Sequence, residues 1–438
     1  MIAAKIGKTL LTAYNAEKGT QHSAQSFFEQ VFFPLFYDHQ KYMQWVTNSP
    51  LVQGVKKGVV STPEERKERL EKLKTKIVEN EPDASIAIGF PASELIATTS
   101  GQVSNIALPF AEEDVYCSWI GGGLGIGIQG GLSIYFDNPK ILMLLYEGWS
   151  VYRFSFLNKP MYQKMRGNQI DTWNGQWLAH VLSPLYRKEQ PVSNFGGLET
   201  KDAVIELTTQ TWLKVVLGIA RKLPNTTLTG YVFSLGQTNR TVGFIPFALP
   251  AIQRPMNLYR KLFGENEYLD NLDKIESLYG SELGFIKCCE MGSIGIKALE
   301  PKGLKAYIFP SKDGDVKYPN YKKADNAQII SFNTYITWIL AMLKNDTLWE
   351  KAETYALSLV EFEGGAKSAK KDRVNDVVKL LAAQHRKGFM EALTTLVEKS
   401  DAQPTHFLAL AEQVDTMPAD NFSYFLTLIR FRYAYLKK

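Results

Sequence analysis

Residues 328–344 read QIISFNTYITWILAMLK and residues 347–362 read TLWEKAETYALSLVEF, and apolar residues recur through both at helical spacing. The same period continues over 367–384, 386–400 and 404–436, the last divided at Pro418, with Asp420 placed to cap NFSYFLTLIRFRYAYLKK. No strand signal interrupts this region. Residues 326–438 are therefore expected to form an all-helical bundle.

Upstream the pattern changes. From about residue 84 to 150 short apolar runs are punctuated by Gly and Pro, and SIAIGF, SNIALPF, VYCSWI, LSIYF and KILMLLYEGWSVYRFSF all read as strands. A helix is expected near 201–222, preceded by Thr200, and strand-like YVFSLG and TVGFIPFAL flank a polar loop at 236–241. A second mixed stretch, LGFIKCC, SIGIKAL and LKAYIFP, closes this body before the linker SKDGDVKYPNYKKADN. Near the start, Ser23 or Ser26 is placed to cap a Phe-rich helix that Pro34 bends or restarts. Thr62 and Pro63 open a charged, solvent-facing helix, TPEERKERLEKLKTKIVEN. The fold class expected is α+β: a mixed α/β N-terminal body with antiparallel strands, residues 1–325, followed by the helical bundle, residues 326–438.

The 438 residues are 45% hydrophobic and 22% charged, ordinary for a globular chain with more than one core. Three cysteines, with no CxxC spacing, suggest neither a disulfide framework nor a zinc site. The segment Met1 to Leu11 is interrupted by Lys5 and Lys8 and does not read as a signal peptide. No run of about 18 uncharged apolar residues occurs, so the expectation is a soluble, cytoplasmic protein without membrane association.

Catalytic signatures are missing from the sequence. Gly125, Gly127 and Gly130 complete a literal GxGxxG within the cluster Gly121–Gly131, but a dinucleotide site needs that turn to open a helix. Here the glycines run into LSIYFDNP, a strand and a turn, and no Lys-Ser or Lys-Thr follows to make a P-loop. A flexible hairpin loop is expected instead. The five histidines lack HExxH or HxxxH spacing, Asp38-His39 reads as a polar helix end, and no GxSxG is present. Neither a catalytic residue, a metal nor a cofactor is expected.

Binding signals are more plentiful. The formal charge is +5, and residues 153–188 carry Arg153, Lys159, Lys164, Arg166, Arg187 and Lys188 against Asp171 alone. Interleaved with them are Tyr152, Tyr162, Trp173, Trp177 and Tyr186, a mixture that fits either a nucleic-acid channel or a solvated loop region. Residues 287–323 carry eight lysines against four acids. The loop Gly236–Thr241 offers Gln237, Asn239 and Arg240, residue types that read base edges bidentately and also make good turns. A second polar loop, Thr98–Asn105, offers Gln102 and Asn105. A third, from Thr47 to Pro50, precedes Lys56 and Lys57.

The phrases SFFEQVFFPLFYDHQKYMQWVTNSP (26–50) and YVFSLGQTNRTVGFIPFALP (231–250), together with the terminal helical region, resemble the large subunit of type I CRISPR effector complexes (Cascade), in variants of Bacteroidetes type. The resemblance implies a non-catalytic, RNA-guided antiviral role. Such a subunit recognises the protospacer-adjacent motif in duplex DNA, aids strand opening and recruits a separate helicase-nuclease. It packs its bundle beside crRNA-bound backbone subunits and small subunits. Base pairing then reads the target, while protein reads a short flanking motif and backbone. On that basis Gln237, Asn239, Arg240, Gln102 and Asn105 are expected at bases or grooves, and Lys56, Lys57, Lys164 and Arg166 at phosphates. A structural subunit without nucleic-acid contact, or an enzyme of unrecognised architecture, stands as the alternative.

Overall fold

A computed structural model describes residues 1–46, 48–54, 60–79, 85–90, 111–234, 241–280, 284–310, 315–365, 370–401 and 404–438. The chain is α+β, with its antiparallel strands in the N-terminal half and helices in the C-terminal part. It divides into two compact units, Met1–Leu249 and Pro250–Lys438, so that residues 250–325 group with the C-terminal helices.

The first unit is built on a close helix pair. Helix α1 (Ile2–Lys18) lies against α5 (Glu112–Gly122) through two glycines. A methyl group on Gly7 would sit 1.9 Å from the Cys117 carbonyl oxygen, and one on Gly121 would sit 1.8 Å from that of Ala3. Only hydrogen on both sides lets the two backbones touch. Between these helices in sequence come α2 (Ala24–Phe27), a π-turn (Phe28–Phe32) and α3 (Phe33–Phe36), which run on from one another. Ser23 caps this run as expected, its Oγ accepting from the Ser26 N–H at 3.1 Å. The π-turn relieves Pro34, whose ring would otherwise press on the carbonyl four residues earlier. Helix α4 (Pro63–Glu79) also starts where expected, with Thr62 and Glu65 bonding each other's backbone N–H groups.

Two apolar runs expected as strands are helices. Residues 115–120 belong to α5, and 140–156 form α6 (Pro139–Val151) continued by a π-turn (Tyr152–Leu157). Both are buried on nearly every side, which removes the amphipathic period that distinguishes a helix from a buried strand. Their start signals were local. Three acids, Glu112, Glu113 and Asp114, occupy the first turn of α5, and the Asn138 side chain accepts from the N–H groups of Lys140 and Ile141 with Pro139 at the first helical position. SIAIGF is a turn rather than a strand, held by the Trp119 indole donating to the Ile86 carbonyl at 2.6 Å. SNIALPF lies outside the described residues.

LSIYF is a strand as expected. It forms β2 (Leu132–Phe136) in a four-stranded antiparallel sheet of order β1-β2-β5-β6, with β1 (Ile126–Ile128), β5 (Thr227–Ser234) and β6 (Thr241–Ala248). The glycine cluster ends α5, forms β1 and turns tightly at Gly130 and Gly131, whose φ values are +90° and +68°. It is a hairpin, but Gly121 through Ile128 are buried, so only the tip faces solvent. Helix α7 (Ile170–Val181) packs on β1, with the Gly127 carbonyl 2.0 Å from where a Gly175 methyl would stand. Residues 201–211, expected as the start of a helix, instead belong mostly to the hairpin β3 (Leu198–Lys201) and β4 (Val204–Leu207), turned by Asp202 and Ala203 at positive φ. Helix α8 (Trp212–Lys222) begins only at Thr211, whose hydroxyl caps the Lys214 N–H at 3.3 Å.

Among the described residues every named element of the second unit is a helix. The unit opens with α9 (Leu249–Phe263), which begins on the last residue of the first unit, then α10 (Glu265–Asp270), α11 (Leu272–Leu278), α12 (Gly284–Glu290), a 3-10 turn (Ile296–Leu299) and α13 (Lys305–Ile308). The second mixed stretch is thus made of short helices within its described residues, too short to display a period. The remaining six match the expected segments closely: α14 (Asn326–Leu343), α15 (Leu348–Gly364), α16 (Lys370–Leu381), α17 (Arg386–Glu398), α18 (Thr405–Thr416) and α19 (Phe422–Leu436). Buried Arg430 on α19 donates to the carbonyls of Leu381, Tyr307 and Ile308, the loose C-terminal carbonyls of α16 and α13.

Candidate nucleic-acid interface

The first unit contains its own version of that device. Arg153 is fully buried and has no carboxylate partner among its recorded bonds. Its guanidinium donates to the Leu35 carbonyl from Nε at 2.8 Å and Nη2 at 2.5 Å, and to the Lys41 carbonyl at 3.0 Å. It therefore ties the end of α3 to the loop that follows. Its charge acts on that loop. Burial, then the Arg153 charge, pushes His39 down to about 4 and lowers Lys41 as well. The nearby acid, Asp38, is already held by Arg66 at 2.9 Å.

The segment 158–169 is pinned at several points to residues beside this buried cation. The Tyr152 hydroxyl donates to the Gly167 carbonyl at 2.8 Å and to that of Arg166 at 3.2 Å. Lys41 Nζ donates to the Tyr162 carbonyl at 3.0 Å. Residues 164–166 then run alongside β4: the Ile205 N–H donates to Lys164 O and the Arg166 N–H to Ile205 O, both at 3.3 Å. Extended backbone alternates its side chains, so Met165 points inward and Lys164 and Arg166 both point to solvent. Arg166 meets Glu206 at 3.0 Å; Lys159 is exposed at the other end of the segment.

Two of the residues expected at phosphates, Lys164 and Arg166, are thus brought together on one edge. Lys56, Lys57, Gln102, Asn105, Gln237, Asn239 and Arg240 lie outside the described residues. The interleaved aromatics need correction. Tyr152, Trp173 and Trp177 are buried and stacked on one another, with ring centroids 4.7 and 5.7 Å apart, so they form core and leave no face for a base. Arg153 likewise belongs inside. The aromatic groups open to solvent nearby are ones the sequence did not single out: Phe154, 55% exposed, adjoins Arg153, and Trp45, 50% exposed, lies two residues beyond Met43, whose carbonyl accepts from the Ile170 N–H. Phe154 was legible only as the residue next to an internal arginine, and nothing local marked Trp45.

No group of three or more His, Cys, Asp or Glu side chains suited to a metal occurs among the described residues. Burial pushes the thiols of Cys117 and Cys289 up to about 12 and 11, far from a reactive thiolate. Among the described residues Asp171, on the first turn of α7, is the one carboxyl pushed up strongly, to about 7, through burial against the sheet. It accepts from Ser133 Oγ at 3.0 Å and faces Gly125, where a methyl would lie 2.0 Å from Oδ1. That contact leaves no room for a substrate on the glycine side.

Among the described residues no helix is long and apolar enough to cross a membrane. Comparison with protein-family models, with curated proteins and with solved structures returns no match.

Proposed function

We propose that this chain is a non-catalytic large subunit of a crRNA-guided surveillance complex of the type I CRISPR kind, working in the cytoplasm. The observation that carries the reading is the pinned segment 158–169, which presents Lys159, Lys164 and Arg166 outward and is tied through Lys41 to the loop that buried Arg153 holds by backbone carbonyls. Such an edge suits backbone phosphates: the cations sit on fixed backbone, and the buried charge adds to their potential. The resemblance of residues 26–50 and 231–250 supplies the context. In it the first unit grips target DNA beside the protospacer-adjacent motif and aids strand opening. The helical tail packs beside crRNA-bound backbone subunits and small subunits, and the complex recruits a helicase-nuclease.

The test is purification from the native host with whatever accompanies the chain, followed by an absorbance spectrum and sizing of any nucleic acid. A short RNA of uniform length, together with backbone-forming subunits, is the expected result. A clean monomer without nucleic acid would overturn the assignment. A bound small molecule would favour an enzyme instead.

A further inference from the structure

Within the second unit α15 and α18 lie side by side and run in opposite directions. The rings of Phe362 and Phe407 meet edge to face at 6.0 Å, and the Tyr355 hydroxyl donates to the Ala409 carbonyl at 3.3 Å. Further along, Lys351 Nζ donates to Gln413 Oε1 at 2.7 Å. Where the end of α15 meets the start of α18, an open cavity of about 200 Å³ lies against both helices. Its lining includes the two phenylalanines, Glu361, His406, and the ion pair of Arg373 on α16 with Asp401 just beyond α17. That volume falls below the roughly 300–1,000 Å³ of a pocket for a drug-sized ligand and suits one long side chain.

The arginine in this cavity is already committed. Its guanidinium, 7% exposed, holds both Asp401 oxygens at 2.8 Å and donates to the carbonyls of Phe362 and Lys399. What stays open is acidic: the Asp401 side chain is 63% exposed, and Glu361 is exposed with no cation in ion-pair range among the described residues. The two helices together carry one lysine, Lys351, against Glu350, Glu353, Glu361, Glu363, Glu412 and Asp415. Arg432 takes Glu353 and Lys437 takes buried Glu363, but the surplus remains. Apolar shoulders flank the cavity. Leu357 lies one turn before Glu361, and Leu408 one turn after Pro404, another lining residue. The antiparallel pairing sets these leucines at the same height on neighbouring helices, 42% and 59% exposed.

We infer that this face docks a basic segment of a partner protein, with one arginine side chain of the partner entering the cavity and apolar residues resting on Leu357 and Leu408. Charge complementarity selects the occupant, because the surplus of acids attracts a cation and repels a polyanion. Arginine suits the cavity better than lysine: its planar, weakly hydrated fork can lie along a ring and reach two carboxylates, and it is a frequent anchor at the centre of interfaces. The inference does not rest on the assembly proposed above.

The full chain is titrated into a short fluorescein-labelled peptide of alanine, leucine and serine with one central arginine, and into its twin carrying citrulline, which keeps the shape and loses the charge. Anisotropy should show the arginine peptide bound about fivefold more tightly. Glu361→Gln should remove most of that preference and leave affinity for the citrulline peptide unchanged. Ser358→Trp, which fills the cavity from its lining, should remove the preference with every charge intact. Leu408→Ser should weaken both peptides alike. Circular dichroism and a thermal melt confirm that each variant is folded. The inference is overturned if the parent binds neither peptide at about 1 mM, if it binds both equally, or if folded Glu361→Gln keeps the full preference. Sedimentation velocity tests the other occupant: a dimer of the parent that Leu408→Ser dissociates would make the face a contact between copies and overturn partner docking. A chain that purifies without RNA yet keeps the arginine preference removes the assembly reading and leaves this site standing.

Discussion

Ser133 Oγ on β2 donates to Asp171 Oδ1 on α7 at 3.0 Å, and this contact joins the sheet to the helix through a carboxyl that burial holds at about 7. The unfolded carboxyl titrates near 3.8. Between those values the folded chain binds the proton more tightly than the unfolded chain, so this group's contribution to stability is fully present below about pH 4 and is lost as pH rises to 7. Urea melts at pH 5.5 and 8 should show the parent less stable at the higher pH by on the order of 1–3 kcal/mol from this group, allowing for the partial exposure of the residue. Asp171→Asn should remove that part of the slope. An unchanged slope in the variant would place the titration elsewhere.

The crossing of α1 and α5 predicts a severe effect from a single methyl. Gly7→Ala or Gly121→Ala drives a Cβ to within 2 Å of a backbone oxygen that cannot swing aside. The helices must separate, at about 2–4 kcal/mol in a packed core. Gly388, inside α17 with nothing within 4 Å of its would-be Cβ, provides the contrast. There Ala should stabilise by about 0.5–1 kcal/mol through helix propensity. Thermal melts of the three variants read both signs.

Legibility in the sequence followed whether an element kept one face in water. The helices α14 to α19 and the Thr62-capped α4 were placed nearly to the residue, because their polar faces preserve a 3.6 period or their caps are explicit. Helices α5 and α6 were read as strands, because burial all round erases that period. The cap that decides the second case is Asn138 before Pro139, a local signal that survives where the period does not. The basic edge was half legible: Lys164 and Arg166 were singled out by charge, whereas the inward turn of Arg153, Trp173 and Trp177 depends on tertiary packing that no local pattern encodes.

Each unit relies on a buried arginine that feeds loose carbonyls at helix ends, Arg153 at the loop tied to the basic segment and Arg430 between α16 and α13. Replacing either with Met keeps the bulk and abandons three hydrogen bonds, to two carbonyls (Leu35 and Lys41) at Arg153 and to three at Arg430. The expected cost is about 3 kcal/mol or more in urea melts. Lys in either place keeps the charge but not the fork, and should recover less than half of the loss. Recovery to parental stability by Lys would show that charge alone matters.

Arg166 and Glu206 form an ion pair on the proposed phosphate-binding edge, at 3.0 Å with the guanidinium 62% exposed. An exposed pair contributes little to stability, but it competes with an incoming phosphate for the same donors. Glu206→Gln should therefore leave the melting temperature within about a degree and tighten duplex binding by roughly two- to threefold at low salt. Lys164→Ala should act in the opposite sense, weakening binding and reducing the salt slope by about one unit. Combining Glu206→Gln with Arg166→Ala isolates the mechanism: once the guanidinium is gone, removing the acid should lose most of its benefit. Full retention of the gain in that double variant would mean that Glu206 acts through general repulsion of the polyanion rather than by occupying Arg166.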